Sequence, residues 1–114
     1  TYPNELMQVF LNIIKNASDA FVENEIIAPE IIITGRESDD YIEVHIQDNA
    51  GGIPEEIRDK IFAPYFSTKG PGIGTGLGLY MSKMIVEEHC RGQLLASNID
   101  QGACFTVKLP LVQG

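Results

Sequence analysis

Glycine occupies every second position from 70 to 78 in KGPGIGTGLGLYMSK, and the stretch runs directly into an apolar helical pattern. A helix N-terminus opened by glycines exposes unpaired N–H groups, which is a place for an anion. It is neither of the two familiar nucleotide loops, because no strand directly precedes it and no Gly-Lys-Ser/Thr ends it. A loose loop beside a helix is the alternative reading. A second stretch, DNAGGIP at 48–54, puts the carboxylate of Asp48 at a strand end ahead of two glycines. A buried carboxylate can accept a hydrogen bond from an exocyclic amino group such as adenine N6, where guanine would present an oxygen. Asp, Asn and Gly also favour a plain turn, so that reading stays open. Third, Gln8, Asn12, Asn16, Asp19 and Glu23 recur every three or four residues and form one polar stripe on a helix.

These side chains need elements to hold them. Residues 4–24 carry Leu6, Val9, Phe10, Ile13, Ala17, Ala20 and Phe21 at helical spacing, with Asn4 as a candidate cap. EIIITG and YIEVHIQD read as a hairpin through RESDD, with Ile42, Val44 and Ile46 on one face and His45 on the other. Pro54-Glu55-Glu56 opens a short helix, a further helix spans about 78–89, and QLLASN with ACFTVKLPLV closes the chain as a second hairpin. Strands in hairpins with separate helices predict an α+β fold: a two-layer sandwich, its mixed, mostly antiparallel sheet covered by helices on one face.

Composition limits the possibilities. At 114 residues and 44% hydrophobic, the chain suits a single domain, residues 1–114, without a membrane-spanning run. A net charge of −8 argues against a phosphate-backbone partner, so no nucleic acid is expected. Cys90 and Cys104 lack metal-ligand spacing and read as reduced thiols.

Taken in order, LNIIKNASDA, DNAGGIP, IFAPYFSTK and GIGTGLGL resemble the N box, first glycine box, F box and second glycine box of the ATP-binding domain of sensor histidine kinases. MIVEEHCRGQLLASNIDQGACFTVKLP is similar to that family's closing helix and hairpin, so the resemblance covers nearly the whole chain. It implies the Bergerat or GHKL fold, here without the family's usual first strand, and a fragment of a longer cytoplasmic or membrane-anchored parent. It also implies that ATP and Mg²⁺ are bound and that the γ-phosphate goes to a histidine on a separate helical dimerisation domain, with a response regulator downstream. The fragment itself is expected to be monomeric and to autophosphorylate little or not at all.

By position, Asn16 is the implied Mg²⁺ ligand and Asp48 the adenine partner. Gly52 and Ile53 line the base, Thr75, Gly76, Leu77 and Gly78 face the phosphates, and Lys15 and Lys69 are the nearby cations. Thr106 is a candidate for a water-mediated contact to adenine. Ala50 stands where the family often has glycine, which a small residue can satisfy unless φ is positive there. Asn12 occupies the place where hydrolytic relatives carry a glutamate base. An amide cannot take a proton at neutral pH, so Asn12 suits orientation of a nucleophile rather than hydrolysis. His45 and His89 do not match the acceptor motif. The same fold leaves two alternatives: a serine-directed anti-sigma-factor-type kinase, and a nucleotide-binding module without transfer.

Overall fold

A computed structural model describes residues 3–64 and 78–111. Helix α1 spans Pro3–Glu23 and is followed by the hairpin of β1 (Ile31–Glu37) and β2 (Tyr41–Asp48). The short helix α2 (Glu55–Arg58) and helix α3 (Gly78–Met84) come next, the latter continuing as a π-helical turn over Ile85–His89. The second hairpin, β3 (Gln93–Ile99) and β4 (Gly102–Pro110), completes the sheet. Asn4 lies inside α1, whose first described residue is Pro3, and so is not its cap.

The described strands lie in the order β1-β2-β4-β3, and each neighbouring pair is antiparallel. No parallel pair occurs among them, so the described sheet is wholly antiparallel rather than mixed. Alternation along the strands sorts the two faces. Ile46, Ala103, Phe105, Val107 and Leu94 pack in one cluster with Val9 and Ile13 of α1 and Ile85 and Val86 of the π turn. His45 and Thr106, directly paired across β2 and β4, stand on the opposite face. The expected two-layer α+β sandwich is what forms. Burying apolar area at about 25 cal/mol per Å² makes this one cluster the main source of stability.

Phe62, just after α2, meets Phe105 edge to face at a centroid distance of 6.3 Å, while the Lys83 ammonium lies 4.9 Å from the Phe62 ring centre. It is an anchor for the chain ahead of residue 65. Tyr65 and Phe66 lie outside the described residues. Both cysteines are free thiols.

Candidate functional site

Asp48 ends β2 and keeps the parity of Ile46, so its side chain stands on the helix-covered side of the sheet. Its Oδ1 accepts from the Ala50 N–H at 3.0 Å and from the Ala103 N–H at 3.3 Å. Two backbone donors on one oxygen fix the carboxylate and leave Oδ2 as the acceptor for another group. The loop that follows is braced from three sides. Asn24, just beyond α1, donates to the Ala50 carbonyl at 2.6 Å, and Gly51 N–H donates to the Gln101 carbonyl at 3.1 Å. Asn98 of β3 clamps the Ile53 peptide, accepting its N–H at 2.7 Å and donating to its carbonyl at 2.8 Å.

Gly51 and Gly52 hold φ of 105° and 83°, values that L side chains rarely adopt. Ala50 is not among the residues with positive φ and is buried, so alanine there is strain-free. A Cβ on Gly52 would lie 3.1 Å from Asn98 Oδ1 and 3.3 Å from the Gly102 carbonyl. The space freed by that glycine is therefore filled by the chain itself, and not left for a base. Gly102 is placed just as tightly, because a Cβ there would fall 1.7 Å from the Asp48 carbonyl oxygen. The β3–β4 turn thus sits directly against the Asp48 strand end.

Asn12 and Asn16 share one side of α1, both half-buried. Asn12 Nδ2 donates to Ser82 Oγ at 3.1 Å and to the Gly78 carbonyl at 3.3 Å, which ties α1 to the first turn of α3. Eight residues at 1.5 Å per residue put Asn16 about 12 Å along α1 from the Asn24 that holds the Asp48 loop. One element therefore carries Asn16 and, through Asn24 just beyond its end, braces the loop of Asp48. Lys15 points elsewhere: its side chain is 70% exposed and donates to Asp19 at 3.1 Å. Lys69, Thr75, Gly76 and Leu77 lie outside the described residues.

Thr106 does not join this site. Its hydroxyl is 3.2 Å from His45 Nδ1, and His45 Nε2 is 3.0 Å from Glu43 Oε1, all on the sheet face away from Asp48. One residue of register decides this, since Ala103 and Phe105 alternate with Cys104 and Thr106. Ile53 has both backbone groups committed to Asn98, so its side chain alone is free to line a ligand. Sequence reasoning missed Asn98, Asn24 and Ser82. Asparagine in a strand is disfavoured, so Asn98 carried a signal of a special role.

Among the described residues no three His, Cys, Asp or Glu side chains group to hold a metal. An Asn oxygen on a helix nevertheless fits Mg²⁺, which takes one or two protein ligands beside phosphate oxygens and waters.

Residues 1–113 match the family described as histidine kinase-, DNA gyrase B- and HSP90-like ATPases. The two-component sensor PprA of Pseudomonas aeruginosa is 40% identical over 112 residues, covering 95% of this chain and 12% of that protein. An NtrY-like putative sensor histidine kinase of Rickettsia prowazekii is 35% identical over 107 residues, covering 94% of this chain and 17% of its own length. The chain thus spans less than a fifth of these relatives. The nucleotide-free catalytic domain of the histidine kinase ThkA superposes with a TM-score of 0.79 at 32% identity, over 94% of this chain and 67% of that one. With the glycine-bearing loop after Asp48, the paired asparagines of α1 and a match over nearly the full length, the chain belongs to the histidine kinase-, DNA gyrase B- and HSP90-like ATPase family.

Proposed function

We propose that this domain binds ATP with Mg²⁺ and delivers the γ-phosphate to a histidine on a helical dimerisation domain, as part of two-component signalling with a downstream response regulator. The observation that supports it most is the arrangement along α1. The Asn12/Asn16 pair stands on its flank, and Asn24 beyond its end holds the loop of Asp48. Asp48 Oδ2 accepts the adenine amino group. Asn16 supplies an oxygen to Mg²⁺, which when bound neutralises phosphate charge. Asn12, an amide where a base would drive hydrolysis, orients the incoming nucleophile without taking its proton, so catalysis is positioning and electrostatics.

Calorimetric titration of ATP and GTP, with and without Mg²⁺, tests the reading. ATP should bind more tightly with Mg²⁺ and GTP should not compete. Asp48→Ala should lose about 1.5–3 kcal/mol of ATP affinity, the range for a hydrogen bond to a charged group. Equal binding of the two nucleotides would overturn the adenine role. Full ATP binding with no transfer by the complete kinase would leave a nucleotide-binding module.

A further inference from the structure

Ser82 is fully buried, the one buried polar residue among the described side chains. Its Oγ lies 2.8 Å from the Gly78 carbonyl and 3.1 Å from Asn12 Nδ2, and Asn12 Nδ2 also reaches that carbonyl at 3.3 Å. Gln8 Nε2 approaches Asn12 Oδ1 at 3.1 Å from the other side. A hydroxyl has one proton, and a carbonyl can only accept. With the Ser82 proton directed to Gly78, its oxygen offers only lone pairs to Asn12. Two acceptors then face the Asn12 amide from α3, so the amide must turn its NH₂ towards them and its oxygen away. The hydrogen-bond network is consistent with this orientation alone.

We propose that Ser82 is a positioning residue for phosphoryl transfer, holding the Asn12 amide with Oδ1 turned away from α3, where the lone pair not taken by Gln8 accepts the N–H of the incoming imidazole; this rests on the function proposed above. A neutral imidazole has one N–H and one lone-pair nitrogen. Held by Asn12 through its N–H, the ring presents the lone pair to the γ-phosphorus. The N–P bond forms as the bond from that phosphorus to the bridging oxygen breaks, its electron pair leaving with ADP. The ring N–H proton stays hydrogen-bonded to Asn12 through the step and passes to water afterwards. Without Ser82 the Asn12 NH₂ keeps only its longer contact to the Gly78 carbonyl, so the amide is held less firmly, and in the flipped arrangement its NH₂ would meet the N–H of the nucleophile.

The test uses the full-length kinase carrying Ser82→Ala, Asn12→Ala, or both. Ser82→Ala should lower kcat for histidine phosphorylation roughly tenfold, with KM for ATP changed less than twofold, and Ser82→Cys should recover part of the loss. In the Asn12→Ala background, Ser82→Ala should cost nothing more, because Ser82 acts through that amide. Side-chain amide NMR of the isolated domain should show the Asn12 NH₂ resonances shifted by Ser82→Ala. Additive losses in the double variant, or wild-type kcat with unmoved Asn12 resonances, would sink the proposal. A wild-type kinase that phosphorylates no histidine would instead overturn the function it rests on.

Discussion

Asn98 contributes to the site only by holding the Ile53 peptide through two bonds. Replacing it with alanine should weaken ATP binding several-fold, at about 1 kcal/mol for exposed neutral hydrogen bonds. Calorimetry on the folded variant reads this directly. Asp48 could be read as a candidate ligand group from its neighbours in sequence, but the second of its two backbone donors could not, because Ala103 is 55 residues away. Cys90 is half-buried, and burial raises its thiol above the usual value of 9.0, with Glu5 adding to the shift. Two results follow. Cys90 should react with iodoacetamide at pH 8 more slowly than a free thiol, as mass spectrometry can follow. Its raised folded-state value also means that its contribution to stability is present at neutral pH and is lost as pH climbs through 9 and the raised value, because the unfolded thiol ionises first.

Among the elements, the β3–β4 turn matters more than its sequence suggested. NIDQG reads as an ordinary polar turn, yet Gln101 adopts a φ of 63°, its carbonyl accepts from Gly51, and Gly102 touches the Asp48 backbone. Gly102→Ala should therefore separate the ends of β2 and β4, since backbone cannot yield as a flexible side chain can. We expect a loss of about 2–3 kcal/mol in urea unfolding, together with weakened ATP binding. The π turn at Ile85–His89 is likewise invisible to a helical pattern. Its wider turn lets Cys90 N–H bond Ile85 and Gly92 N–H bond Val86, carrying the chain from α3 into β3. His89, at 2.9 Å from Glu5, joins the end of that turn to the start of α1.

At the scale of the molecule, the described helices cover one face of the sheet. No described helix is long and apolar enough to cross a membrane. His45 is held in β2 between Glu43 and Thr106, on the face away from Asp48. Incubated alone with labelled Mg-ATP, the chain should bind nucleotide but acquire no acid-labile label, and label should appear only on an added helical acceptor domain. Acid-labile label on His45 or His89 would contradict this division of labour.

By itself the sequence determined the family and the order of the helices and hairpins, and it singled out Asp48, Asn12 and Asn16 as candidate site residues, because periodicity and glycine-rich spacing are local properties. It also placed Ile42, Val44 and Ile46 on the core face of β2, since alternation needs no partner. Only the tertiary structure decided which of these groups meet. Thr106 parted from Asp48 through a one-residue difference in parity. The Gly52 space closed on Asn98 from a strand 46 positions away, and Asn12 acquired its orientation from Ser82 across a helix–helix contact. Each of these depends on pairs far apart in the chain, and a hydrogen bond between distant residues leaves no mark on the local pattern of either.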